Sequence, residues 1–234
     1  MLKLGVLVGT VFHGSSVFDG FAEKKVETGF GDCTVFEGDG MVFLPRHGVD
    51  ESVPPHMINH RANISALKES GAGKVVGVCS VGGLKTSFPP GTLVVPEDYI
   101  GLWNTPTLFD DKPVHVTPSL DYPLRQAIVA CAERRGIKVR DGGVYVQTRG
   151  PRLETRAEVR YLATMGDVVG MTLASEATLA SEAKLPYAGI CTVDNFANGT
   201  VEETLDFEEV VEHSREKSGE ILELIRAVAK EVRE

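Results

Sequence analysis

Residues able to do chemistry gather at the ends of apolar, strand-like runs. In Phe43-Leu-Pro-Arg-His-Gly48 such a run stops at an arginine, a histidine and a glycine. Ligands of open α/β sheets bind where strands end. The planar guanidinium of Arg46 suits a tetrahedral oxyanion and His47 can add a donor, so the pair resembles half of a phosphate clamp. Taken alone, the tripeptide reads more simply as a surface arginine beside a histidine satisfied by a backbone carbonyl. A second run ends in Gly77-Val-Cys-Ser-Val-Gly-Gly83, whose small residues let backbone N–H groups approach an anion and whose Ser80 offers a hydroxyl. The first run ends in Gly9-Thr10, a third small hydroxyl site. A glycine after a strand usually marks only a turn, but three such ends together point to an anion site.

Further polar groups follow. Gly150-Pro-Arg-Leu-Glu-Thr155 is a turn that delivers Glu154 near the start of a helix, where an acid is also favoured by the helix macrodipole alone. Val169-Gly-Met-Thr-Leu173 closes a strand with Met171 and Thr172, although methionine is more often core than ligand contact. Ile190-Cys-Thr-Val-Asp-Asn-Phe-Ala197 leaves Asp194 and Asn195 at the end of an apolar run, where polar groups require partners or a ligand. Two other chemistries are weaker. Cys79 or Ser80 as a hydrolytic nucleophile is offset from a nucleophile elbow, and no His and Asp order picks out a triad. His56 and His60 have metal-ligand spacing, but no third ligand follows convincingly.

The elements that must position these residues alternate along the chain. Candidate strands run Leu4 to Val8, Met41 to Leu44, Lys74 to Val81, Leu93 to Pro96, Gly143 to Gln147, Val168 to Met171 and Tyr187 to Val193. Helical patterns cover Ile58 to Ser70, Tyr122 to Arg135 and Thr155 to Met165, ended by Gly71, Gly136 and Gly166 as left-handed stops. A last amphipathic helix carries Phe207, Val210, Val211, Ile221, Leu222, Ile225, Val228 and Val232 on one face. Gly101 to Pro118 is the one long unassigned loop, and long loops often carry function.

The 234 residues, 42% of them hydrophobic, suit one α/β domain spanning 1–234 with a sizeable core. A net charge of -9 argues against a nucleic-acid partner, so any anion site must be a local pocket. Cys33, Cys79, Cys131 and Cys191 are scattered without a Cys-x-x-Cys pair, as expected of free thiols in a cytoplasmic protein. The N-terminus reads as a first strand rather than a signal peptide, and no apolar run is long enough to span a membrane.

The ordered set Gly9-Thr10, Arg46-His47-Gly48, Pro55-His-Met-Ile-Asn59 with Arg61-Ala-Asn63, Ser80-Val-Gly-Gly83, Gly150-Pro-Arg152, Gly170-Met-Thr172 and Pro186-Tyr-Ala188 closely resembles the trimeric purine nucleoside and methylthioadenosine phosphorylase family over nearly the whole chain. The resemblance implies a single α/β domain around a mixed, partly barrel-like sheet flanked by helices. It implies a homotrimer or a hexamer, with sites near subunit interfaces, inorganic phosphate as co-substrate and neither metal nor organic cofactor. By the same resemblance Thr10, Arg46, His47, Ser80 and Thr172 would hold phosphate and Met171 would pack against the ribose. His115 occupies the place from which an adjacent subunit covers the 5' end of the pocket. Asn195, Glu154 and His47 would be the catalytic groups.

Members of this family that use adenine carry an aspartate at the base-facing strand end, and users of 6-oxopurines an asparagine; here it is Asn195. An amide donates to O6 and accepts from N7–H, although it also fits the N6/N7 edge of adenine. Glu154 breaks the tie, because an ionised carboxylate accepts the N1–H of hypoxanthine or guanine and is repelled by the N1 lone pair of adenine. Phe207 falls where purine nucleoside users in the family place a histidine for the 5'-hydroxyl; a phenyl ring suits a thiomethyl group instead. These readings combine to S-methyl-5'-thioinosine, with inosine, guanosine and 5'-methylthioadenosine as alternatives, and a non-catalytic purine-binding relative as the alternative of another class. The chain departs from the family at Val8 and Val11, where the first loop usually has glycines, which leaves His13 or Ser15 as further candidates there. It departs again at Asp194, a carboxylate that would repel phosphate unless it points away or is protonated.

Overall fold

The computed structural model describes residues 2–12, 17–103, 105–202 and 217–232. In chain order the strands are β1 (Lys3–Val8), β2 (Ala22–Thr28), β3 (Gly31–Gly38), β4 (Met41–Pro45), β5 (Ala72–Gly83), β6 (Leu93–Val95), β7 (Asp98–Ile100), β8 (Val139–Asp141), β9 (Val144–Gln147), β10 (Val168–Gly170) and β11 (Tyr187–Phe196). The helices are α1 (His60–Glu69), α2 (Tyr122–Arg134), α3 (Arg156–Leu162), α4 (Leu173–Glu182) and α5 (Ser218–Glu231). The strands form one mixed sheet that branches at β5, which pairs in parallel with β1 and β11 and in antiparallel with β10.

Alternate side chains of each central strand enter different cores, as the two-residue period of a strand requires. Leu4, Val6 and Val8 of β1 pack with Met41 and Phe43 of β4 against Leu124, Ile128 and Ile225 of α2 and α5. Leu7, Val42 and Leu44 face the other way, against Ile64 and Leu67 of α1 and Leu173, Ala177 and Leu179 of α4. Covering both faces is why these strands read as unbroken apolar runs. Val8 and Val11 are both in the first core, so these departures from a glycine-rich loop fill the interior.

Several expectations about element ends are corrected. Gly71 and Gly136 do adopt positive φ (85° and 68°), as helix stops should. Gly166 does not stand among the positive-φ residues, and α3 ends earlier, at Leu162. The glycine is needed there for close approach, since a Cβ would lie 2.3 Å from Val146 Cγ2. The start of α3 is secured by a capping box of Thr155 and Glu158, so Glu154 is not the helix-initiating acid. Phe207, Val210 and Val211 lie outside the described residues, as do His13 and Ser15; α5, which begins at Ser218, buries Ile221, Ile225 and Val228. The hairpin β2–β3, the short β7 and β8, and α4 were not expected from the sequence.

One polar cluster lies inside the second core. Glu176 of α4 is 0% exposed and accepts from Arg46 Nε (2.7 Å), Arg46 Nη2 (3.3 Å) and the Tyr187 hydroxyl (2.7 Å). Gly77 makes the arrangement possible: a Cβ there would sit 1.9 Å from the Tyr187 hydroxyl and 2.8 Å from Glu176 Oε2. Burial pushes the Glu176 carboxyl up, but Arg46, His60 and the hydrogen bonds outweigh it and hold it below the ordinary value. His60 lies 4.0 Å from Glu176, and burial, aided by Arg46 and opposed by Glu176, pushes it down from 6.5 to about 4.

This depression sets a pH window. As pH falls from about 6.5 to about 4 the unfolded chain protonates His60 while the native chain does not, so stability is lost across that interval, by at most about 3 kcal/mol. We expect His60→Asn to flatten the fall in Tm over this window in thermal melts taken at successive pH values. Identical slopes for both proteins would remove His60 from the account.

Candidate active site

A cavity of about 320 Å³ opens at the ends of β1, β4, β5, β10 and β11, and Thr10, Arg46, His47, Ser80, Glu154, Met171, Thr172 and Asn195 all line it. Such a volume accommodates a small-molecule ligand. Eight of the residues singled out from the sequence thus converge from six separate segments. His115 lies exposed in the Gly101–Pro118 loop and does not line the cavity, and Phe207 is outside the described residues.

Arg46 departs from the expected fork. Its Nε and Nη2 hold Glu176, Nη2 also donates to the Leu7 carbonyl (3.0 Å) and Nη1 donates to the Val78 carbonyl (2.6 Å). Four of the five N–H bonds of a guanidinium are therefore committed to the protein, leaving one hydrogen on Nη1. The space beside it is kept by Gly9, where a Cβ would stand 2.6 Å from Arg46 Nη1 and 3.3 Å from His47 Nε2. Gly9 thus leaves a cradle against the one uncommitted N–H. The opposed side of His47 is fixed, because Nδ1 lies 2.8 Å from the Val53 carbonyl and must donate to it.

Ser80 is also corrected. Its hydroxyl donates to Asp194 Oδ2, so its proton is directed to the protein rather than into the cavity. Asp194 is 1% exposed and does not line the cavity, which answers the concern that its carboxylate would face an anion. Thr172 caps α4 by position but makes no side-chain capping bond. Its task is taken by β9: the Tyr145 hydroxyl accepts from the Thr172 and Leu173 amides (3.1 and 3.4 Å), and Gln147 Oε1 accepts from the Ser175 amide (3.0 Å). The Thr172 hydroxyl is left to line the cavity, touching Cys79 Sγ at 3.5 Å.

At the other end Thr148 donates to Glu154 Oε1 (2.6 Å), while Oε2 carries no hydrogen bond among the described residues. Asn198, not anticipated from the sequence, lines the same end and donates to the Glu154 carbonyl (3.1 Å). Asn195 uses one amide hydrogen on the Phe196 carbonyl (2.7 Å), which leaves its second N–H and its oxygen for a ligand. Met171 closes over Gly150, where a Cβ would lie 2.4 Å from its sulfur. Glu176 was also missed; the available signal was its lone carboxylate inside the largely apolar Leu173–Ala180. No group of three or more His, Cys, Asp or Glu placed to hold a metal ion occurs among the described residues, and His60 instead lies beside Glu176.

These features can be set beside known proteins. Residues 4–230 match the model of the phosphorylase superfamily. The chain is 39% identical to an Archaeoglobus fulgidus protein named probable 6-oxopurine nucleoside phosphorylase, covering 98% of this chain and 96% of the relative. It is 38% identical to a Methanothermobacter thermautotrophicus protein named probable S-methyl-5'-thioinosine phosphorylase, covering 98% and 84%. Among solved structures, methylthioadenosine phosphorylase from Schistosoma mansoni in complex with adenine superposes with a TM-score of 0.88 at 29% identity, covering 100% of this chain and 93% of that one. With the match running almost end to end and the ligand-lining residues converging on one cavity, the chain belongs to the phosphorylase superfamily, as an enzyme of the nucleoside phosphorylase, pentosyl-transferring type.

Proposed function

We propose that the cavity binds a 6-oxopurine nucleoside and inorganic phosphate together, and that the favoured reaction converts S-methyl-5'-thioinosine to hypoxanthine and 5-methylthioribose 1-phosphate. The observation that carries this reading is the single cavity with an oxyanion end at Thr10, Arg46, His47, Ser80 and Thr172 and a base end at Glu154 and Asn195. The names of the two relatives, one for 6-oxopurines and one for S-methyl-5'-thioinosine, support the same substrate class.

The chemistry needs no nucleophilic side chain. A phosphate oxygen forms the new bond to the anomeric carbon while the electron pair of the glycosidic bond leaves with the purine. Positive charge builds on the ribose and negative charge on the base, and the site must stabilise both. Phosphate held in the Gly9 cradle faces the cationic sugar. Asn195 receives the base edge through its second N–H and its oxygen, and Glu154 Oε2 accepts N1–H. Holding both reactants at bonding distance removes several kcal/mol from the barrier. No cofactor takes part in this scheme. The working form is a cytoplasmic homotrimer, in which His115 of one subunit covers the 5' end of a neighbour's cavity. Neither nucleic acid nor membrane is a partner.

A substrate panel run with and without phosphate tests the reaction: turnover of 6-oxopurine nucleosides that does not depend on phosphate would sink it. Gly9→Ala should fill the cradle and raise the KM for phosphate by about tenfold or more, and should lower the melting temperature as well, because the added Cβ presses on the buried Arg46 Nη1. Asn195→Asp combined with Glu154→Ser should shift preference toward adenine nucleosides in a competition assay, and an unchanged preference would count against the base-end assignment. Phe207→His should raise the use of inosine relative to S-methyl-5'-thioinosine; a flat ratio would take Phe207 out of the specificity account.

A further inference from the structure

From the geometry of the oxyanion end, which rests on the phosphate reading above, we infer that this subsite is matched to a tetrahedral oxyanion that still carries a proton, and that Asp194 is the residue that sets this selectivity. A hydroxyl has one proton and two lone pairs. Ser80 gives its proton to Asp194, so the oxygen it turns to the cavity is an acceptor. Asp194 reaches that position because β11 bulges there: Val193 pairs with Val81 and Asn195 with Gly82, so Asp194 is passed over in the register. Bulges of this kind re-aim a side chain beside a site.

The positive charge at the subsite is tempered, since Arg46 is neutralised by Glu176 and retains one N–H. The subsite therefore presents an acceptor at Ser80 beside a donor at Arg46. Phosphate and arsenate keep at least one proton at neutral pH and meet this mixed set. Sulfate keeps none, so its oxygens face acceptor lone pairs, a mismatch of buried polar groups that binding does not compensate.

The test is calorimetric titration of the intact protein with phosphate and with sulfate at matched ionic strength, beside sulfate inhibition of phosphorolysis. We expect sulfate to bind at least about tenfold more weakly than phosphate. Asp194→Ala removes the acceptor, returns the Ser80 proton to the cavity and should narrow that gap several-fold, and Ser80→Ala, which deletes the acceptor oxygen, should narrow it independently. Equal binding of the two anions by the parent protein would overturn the proposal. So would a gap left unchanged in both folded variants. If phosphate binds in preference to sulfate yet no nucleoside is cleaved, the phosphorolysis reading fails while the anion selectivity stands.

Discussion

The contact between Arg46 and Glu176 governs the arrangement of the site. Two charges brought out of water are stabilised only by close geometry and by further hydrogen bonds to the remaining lone pairs and protons, and here the Leu7 and Val78 carbonyls and the Tyr187 hydroxyl supply them. The pair ties β4 to α4 and, through the two carbonyls, to β1 and β5. All of these elements end at the cavity. Removing either partner would strand a buried charge, a loss on the order of 3–5 kcal/mol. The same contact changes what Arg46 offers a ligand. A guanidinium that would otherwise clamp an anion with two parallel bonds becomes a fixed group with one N–H directed at the space that Gly9 keeps open.

The sequence disclosed the central sheet because both faces of its strands are buried, so the apolar runs of β1, β4, β5 and β11 are long and bounded. It did not disclose β2, whose Ala22–Thr28 is mostly exposed and rich in Lys and Glu, a pattern with no apolar face. The three-residue strands β7 and β8 are too short to show a period. Helix α4 escaped notice for the opposite reason: Leu173 to Ala177 are all buried, so no polar stripe marks the helix, and Thr172 provides no side-chain cap. Gly166 misled because a glycine beyond a helical pattern has two physical uses, left-handed backbone and close approach, and spacing does not distinguish them.

For the site, residue type was legible and bonding was not. Glycines and hydroxyls at strand ends indicated where Thr10, Arg46, His47, Ser80 and Thr172 would converge, and all five line one cavity. Which proton each group keeps is decided by neighbours distant in the chain. Glu176 lies 130 residues from Arg46 and Asp194 lies 114 from Ser80. Neither pairing leaves a local trace, and both convert an apparent donor into something more restricted.

Tyr145 and Gln147 of β9 hold the first turn of α4, and Thr148, the next residue along, holds the carboxylate of Glu154. One short rod therefore mounts both jaws of the cavity. Slippage of that rod would carry the Thr172 side and the Glu154 side of the cavity together instead of altering the gap between them, so the span of the cavity is buffered against flexing elsewhere in the sheet.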